Sequence, residues 1–167
     1  MDTTQIGDLA MRLIPLTKGQ SAIVDDQDYE NLSQFKWFAL WGPHPRSFYA
    51  ARGVPGLTNG KRRQELMHRR ILGLKHGDKR QCDHIYHKTL DNRRDRIRIV
   101  TRSQNQQNKR NTKGYYFNKK ARKYQAQISI NSVIKLLGYF DDPAEARAAY
   151  LAAKRQYHPS APQGMFL

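Results

Sequence analysis

Residues 81–105, QCDHIYHKTLDNRRDRIRIVTRSQN, decide the central part of the fold. Their apolar pattern predicts a short strand over 80–85, a loop over 86–94 and a second strand over 97–100. Thr101 and Gln104 have the spacing of a capping box, which predicts a helix that runs to about residue 109. The stretch therefore predicts a strand, a loop, a strand and a helix in succession.

The positive charge of the chain is concentrated around this stretch. The 167 residues carry a net charge of +16, of which residues 61–113 contribute +12, residues 114–167 contribute +5 and residues 1–60 contribute −1. Because apolar residues are interleaved with the basic ones, the pattern indicates a folded basic surface rather than a disordered tail. A polyanionic partner, most simply nucleic acid, is expected, and charge for solubility alone is the alternative.

The composition excludes several classes of protein. Cys82 is the only cysteine, which excludes a disulfide framework and a cysteine-rich zinc site. No apolar run is long enough for a membrane span, and the first residues lack the pattern of a signal peptide. We therefore expect a cytoplasmic protein that has no membrane partner.

The residues before the central stretch predict a small unit that is mostly β. Leu13–Leu16 and Ser21–Val24 flank a turn at Thr17–Gln20, which predicts a hairpin. Aromatic-rich strands are predicted at Trp37–Leu40 and Phe48–Ala51. Residues 53–61, rich in Gly, Pro and Asn, predict a connector, and residues 65–74 predict a helix.

The last third of the chain predicts a separate module. Residues 124–130 alternate strictly, so Gln125, Gln127 and Ser129 face one way and the apolar residues face the other. Strands at 115–118 and 133–140 would complete a three-stranded antiparallel sheet. Asp142 and Pro143 predict the start of a helix whose alanines let it pack closely on the apolar face.

The ordered residues Asp83-His84, Asn92 and Asn105 resemble the motif of the HNH endonuclease family. Residues 114–150, which include Gly114-Tyr115-Tyr116-Phe117, are similar to the AP2-type DNA-binding domain. Together they resemble a phage-type homing endonuclease, and the expected cell is bacterial or phage-infected. The expected fold is α+β, with an N-terminal β-rich unit over 11–60, a ββα-metal (HNH) core over 61–110 and an AP2-like module over 114–158.

The resemblance implies hydrolysis of a DNA phosphodiester with one divalent ion, Mg²⁺ or Mn²⁺, per active site. It implies that Asp83 and Asn105 hold the ion, that His84 takes a proton from water, and that Asn92 orients His84. These residue types suit such roles, since imidazole titrates near neutral pH and carboxylate and amide oxygens are hard ligands. Asp83 and His84 are adjacent, so they can serve one site only if the strand ends or distorts there.

The expected partner is double-stranded DNA, with no obligatory protein partner and with a monomer favoured over a dimer. Gln125, Gln127 and Ser129 suit a sheet laid in the major groove, where Gln pairs with adenine edges. The other side chains expected to bind DNA are cationic: Arg93, Arg94, Arg98, Arg102, Lys119, Lys120, Arg122 and Lys123. A non-catalytic DNA-binding regulator and an RNA-binding protein are the alternatives, and the choice between nicking and double-strand cutting stays open.

Overall fold

The computed structural model describes residues 10–43, 46–58, 60–109 and 112–161. These residues divide into two compact units, one that ends at Ile99 and one that begins at Val100. The fold is mixed α+β, as expected, and consists of several small antiparallel sheets and short helices. Within the described ranges, no helix is both long and apolar enough to cross a membrane.

The first unit opens with the predicted hairpin. Strands β1 (Met11–Pro15) and β2 (Ser21–Asp25) pair antiparallel, with Ile14 opposite Ala22. Lys18 and Gly19 in the turn have positive φ angles of 60° and 64°, a conformation that glycine adopts without strain. Helix α1 (Asp26–Ser33) follows directly and places the Asp28 and Leu32 side chains on its buried face.

A three-stranded sheet then forms from β3 (Phe38–Gly42), β4 (Ser47–Thr58) and β5 (Lys61–Leu66). The expected connector over 53–61 is wrong, because β4 continues to Thr58 and pairs with β5. The expected helix over 65–74 is reduced to α2 (Met67–Ile71). The predicted module boundary at residue 60 lies between these two paired strands.

One hydrophobic core joins the elements of this unit. Its buried members come from both sides of residue 60 and include Val24, Trp37, Met67 and Ile97. The Trp37 indole donates a hydrogen bond to the Leu32 carbonyl at 2.8 Å, so the polar atom of this buried ring is paired. Strands β6 (Gln81–His84) and β7 (Ile97–Val100), at the predicted positions, form a two-stranded sheet.

The second unit begins with α3 (Arg102–Gln107), whose predicted capping box is present. The Gln104 amide donates to Thr101 Oγ1 at 3.2 Å, and the Thr101 amide donates to Gln104 Oε1 at 2.8 Å. By contrast with the sequence-based division, this helix belongs to the same compact unit as the C-terminal sheet.

The C-terminal sheet has the predicted strands, β8 (Tyr115–Asn118), β9 (Lys123–Ile130) and β10 (Val133–Phe140), in the order β10-β9-β8. Helix α4 (Pro143–Tyr157) starts at the Asp142 cap, where Oδ1 accepts a hydrogen bond from the Ala144 amide at 2.7 Å. Ile128, Tyr150 and Ala153 form the centre of the core between sheet and helix. The opposite face of the sheet is therefore open.

Candidate active site and nucleic-acid interface

Strand β6 carries two buried polar side chains, those of Asp83 and His84. Only 8% of Asp83 and 6% of His84 is exposed, although neighbouring residues of a regular strand point to opposite faces. The strand ends at His84, where the His84 carbonyl accepts a hydrogen bond from the His87 amide at 3.0 Å. Regular strand geometry therefore ends directly after these residues, which allows two neighbouring side chains to be buried.

His84 and Asn92 are in direct contact. The His84 Nε2 and Asn92 Oδ1 atoms are 3.1 Å apart. The Asn92 Nδ2 group donates to the Leu90 carbonyl at 3.3 Å, and since a carbonyl only accepts, this bond fixes which amide atom faces His84. His84 Nε2 therefore carries the proton, and in the neutral ring Nδ1 is the basic nitrogen.

Burial determines the charge of His84. It lowers the pKa of His84 below its usual value, and the opposing effects of the Asn92 hydrogen bond and of the Asp83 and Asp91 charges compensate only in part. The imidazole is therefore neutral at pH 7, which is the form that can accept a proton.

His68 and Tyr49 complete the surroundings of His84 and were not assigned to the site from the sequence. The centroids of the His68 and His84 rings are 4.8 Å apart, and the Tyr49 centroid lies 6.0 Å from that of His84. Burial, with the nearby His84 and Arg69, lowers the pKa of His68 to about 3. No local signal identifies Tyr49, because β4 reaches the site only through strand pairing and packing.

The N-terminal elements hold the loop that carries Asn92. The Ile23 amide donates to the Leu90 carbonyl, and the Asn92 amide donates to the Ile23 carbonyl, both at 2.8 Å. From the other side, Thr89 Oγ1 donates to the Phe48 carbonyl at 2.6 Å. Residues 11–60, to which the sequence assigned no chemistry, thus form the support of the candidate site.

Asp83 has a cationic partner within the unit. Arg98 Nε and Nη2 lie 3.2 and 3.0 Å from Asp83 Oδ2, so Arg98 neutralises the carboxylate. Of the two residues expected to hold a divalent cation, Asp83 offers a buried carboxylate in the first unit, and Asn105 lies on α3 of the second unit. In the described part of the chain, no group of three or more His, Cys, Asp or Glu side chains is placed to hold a metal ion.

Arginines of the loop between β6 and β7 also form ion pairs. Arg93 holds Asp91 through two hydrogen bonds of 2.8 and 2.7 Å. Arg94 holds Asp28 of α1 in the same bidentate manner, at 2.8 and 2.7 Å. The sequence suggested both arginines as phosphate ligands, but Arg93 binds a carboxylate within the loop and Arg94 binds one on α1. Arg102, another expected phosphate ligand, is exposed at the first position of α3.

A cleft of about 290 Å³ opens beside His84. Its lining is mainly cationic and aromatic: His84, Tyr86, Lys88, Asp91, Arg93 and Arg96. Lys88 is exposed, whereas the charges of Arg93 and Asp91 compensate each other. Arg96 pairs with Asp95 at 3.1 Å. The exposed Lys88 therefore presents positive charge near a neutral, buried imidazole, which is an arrangement suited to a phosphate group.

In the second unit, the strand register defines the open face of the sheet. Gln125 lies opposite Tyr116 and Tyr139, Gln127 opposite Leu136, and Ser129 opposite Ile134. Directly opposite residues share a face, so the predicted polar face also carries apolar and aromatic side chains. We call this surface the open face: Tyr116, Asn118, Lys123, Gln125, Gln127, Ser129, Ile134, Leu136 and Tyr139.

Cations lie at one end of the open face. Lys119, Lys120 and Arg122 are exposed in the turn between β8 and β9. Asn118 Oδ1 accepts hydrogen bonds from the Lys120 and Ala121 amides, each at 3.0 Å, and so fixes the turn. Lys123 instead pairs with Asp141 at 3.0 Å.

No family model, curated protein or solved structure matches this chain.

Proposed function

We propose that the chain is a DNA endonuclease of the HNH type, which hydrolyses a phosphodiester of double-stranded DNA with the help of one divalent ion. The observation that carries the proposal is the buried His84, kept neutral, oriented by Asn92 and located beside a cationic cleft. The resemblance of Asp83-His84, Asn92 and Asn105 to the HNH motif agrees with this geometry. The AP2-like module would supply DNA binding.

In the proposed reaction, the protein supplies proton transfer and orientation. His84 Nδ1 takes a proton from water, the water oxygen attacks the phosphorus, and the bond to the departing 3′ oxygen breaks. Asn92 keeps Nε2 protonated, so that Nδ1 is the nitrogen that acts as the base. The exposed Lys88 in the cleft attracts the phosphate chain.

A divalent ion held by Asp83 and Asn105 would supply positive charge for the phosphate and for the departing oxygen. Arg98 competes for Asp83, because both its nitrogens lie within 3.2 Å of Oδ2. This contact favours a second candidate, a DNA-binding regulator that lacks turnover. In that case Arg98 would be a permanent partner of Asp83, and the chain would bind DNA without cutting it.

The test compares cleavage of supercoiled DNA in Mg²⁺ or Mn²⁺ by the wild type and by His84→Gln. The glutamine amide can still donate to Asn92, but it has no basic nitrogen at neutral pH. We expect the cleavage rate to fall between about 10²- and 10⁴-fold, with unchanged DNA affinity. His76→Ala is the matched control, because His76 is an exposed histidine of the same unit outside the cleft.

Either of two results would refute catalysis by His84. The variant could cut as fast as the wild type, or the wild type could bind duplex DNA and cut none of it with either ion. The second result would support the regulator. Tighter binding of single-stranded RNA than of duplex DNA would support an RNA-binding protein instead.

A further inference from the structure

The open face combines polar and aliphatic side chains in a repeated arrangement. Two cross-strand pairs that are neighbours on this face each place a polar residue of β9 opposite an aliphatic residue of β10. These pairs are Gln127 with Leu136 and Ser129 with Ile134. Leu136 is 49% exposed and Ile134 is 65% exposed. Single exposed aliphatic residues are common, but here two occupy adjacent rows of one face.

The charge next to this face favours a polyanion as its occupant. Lys119, Lys120 and Arg122 are exposed at its end, and Lys123 pairs with Asp141. Asn118 Nδ2 donates to Gln125 Oε1 at 2.8 Å, and Gln125 Nε2 lies 3.4 Å from Gln127 Oε1. The amides are therefore partly ordered before any ligand binds.

The paired side chains match the chemistry of one base pair in the major groove. An A·T pair presents the N6 donor and N7 acceptor of adenine and, beside them, the C5 methyl group of thymine. A glutamine amide can bind the adenine edge while a neighbouring aliphatic group covers the methyl group. A G·C pair has no methyl group at that position, so it leaves the aliphatic side chain without an apolar partner.

We propose that the open face reads A·T pairs of duplex DNA, and that Leu136 and Ile134 determine specificity by contact with thymine methyl groups. Gln127 binds the adenine of the pair that Leu136 contacts, and Ser129 is placed in the same way beside Ile134. The inference rests on the proposed DNA-binding function and adds to it the base composition of the target. The inference concerns the preference for a DNA sequence, and this preference does not depend on whether the chain cleaves the DNA.

The test uses a randomised duplex library in EDTA, which prevents metal-dependent cleavage, at physiological ionic strength. The full chain selects its preferred sequence, and each thymine of that sequence is then replaced in turn by deoxyuracil, which lacks only the C5 methyl group. We expect A·T pairs in the selected site, and a loss of about fourfold in affinity for each contacted methyl group that is removed.

Variants connect each effect to one side chain. In Leu136→Ala, we expect the affinity to fall and one particular thymine to become insensitive to deoxyuracil; Ile134→Ala should do the same at a second thymine. Val133→Ala is the matched control, since Val133 is a 68% exposed aliphatic residue of the same strand that lies opposite Ile130, on the other face. It should leave every methyl effect unchanged.

Several outcomes would overturn the inference and leave the proposed endonuclease intact: no enriched sequence, a site without A·T pairs, or methyl effects that persist in both variants. Concentration-dependent self-association that Leu136→Ala abolishes would assign the face to a second copy of the chain. Absence of any duplex binding would overturn the inference and the proposed function together.

Discussion

The candidate active site and the open face use their polar residues in opposite ways. In the first unit, three arginines that follow His84 in the sequence are paired with carboxylates, Arg93 with Asp91, Arg94 with Asp28 and Arg98 with Asp83. In the second unit, Lys119, Lys120 and Arg122 are exposed at the end of a sheet face that no helix covers.

This difference separates two uses of positive charge. Ion pairs that are partly enclosed by the fold connect segments that are distant in sequence, as Arg94 and Asp28 do, whereas exposed lysines contribute almost nothing to the fold. The same composition can therefore stabilise a site in one unit and attract a polyanion in the other. Net charge alone does not distinguish these uses, because it counts both kinds of cation equally.

The largest expected effect that separates the units is the pH dependence of stability. The pKa of His68 is about 3 in the folded protein and about 6.5 in the unfolded chain, so between these two pH values the unfolded chain binds a proton that the folded protein does not. The free energy of unfolding of the first unit should fall by roughly 1.4 kcal/mol per pH unit as the pH decreases from 6.5.

Tryptophan fluorescence can follow the first unit selectively, since Trp37 and Trp41 are the only tryptophans and both lie in it. Denaturant unfolding at pH 7, 6 and 5 gives the slope, and His68→Leu should make it shallower. Amide hydrogen exchange in β9 and α4 follows the second unit, to which His68 does not belong. An equal slope in wild type and His68→Leu would contradict the assignment to His68.

The next effect concerns the neutral state of His84. In Asn92→Asp, a carboxylate would replace the amide oxygen that lies 3.1 Å from His84 Nε2. Negative charge favours the protonated imidazole, so the pKa of His84 should rise. In a plot of cleavage rate against pH, the acid limb should therefore move to higher pH. The rate should fall more at pH 6 than at pH 8.

The control for this shift is Asn92→Ala, which removes the hydrogen bond without adding charge. It should lower stability, because Asn92 is only 1% exposed, and it should not move the acid limb upward. If Asn92→Asp and the wild type have the same pH profile, a group other than His84 limits the rate.

The smallest effects come from single cations in the two units. Arg94→Ala should lower the free energy of unfolding by about 1 kcal/mol, since its bidentate pair with Asp28 is half exposed on the arginine side. Lys120→Ala should leave stability unchanged and reduce the slope of log affinity against log salt by about 1. Denaturant unfolding and duplex binding at several salt concentrations measure both quantities.

The distinction between paired and exposed cations would fail if Arg94→Ala and Lys120→Ala changed stability and salt dependence in the same way. A lower salt slope in Arg94→Ala, with unchanged stability, would place Arg94 on the DNA as the sequence suggested. A loss of stability in Lys120→Ala would show that the turn cations support the fold. Either result would remove the distinction between paired and exposed cations.

The sequence alone predicted those elements whose signals are local. The hairpin at 17–20 depends on its turn residues, the start of α3 on the Thr101–Gln104 capping box, and β9 on strict alternation. The contact between His84 and Asn92 was expected from the family resemblance, because the motif keeps these residues at a recognisable spacing. Such features need only neighbouring residues or a known pattern.

Tertiary structure alone decided the features that depend on distant partners. Lys61–Leu66 is charged and does not alternate as a buried strand does, and it forms β5 because β4 supplies its hydrogen bonds. The same is true of Arg94, whose carboxylate partner lies 66 residues away in sequence, and of the open face, whose aliphatic half comes from the register of β10. Contacts between distant segments require the loops between them to close, and nothing in a local sequence pattern specifies that closure.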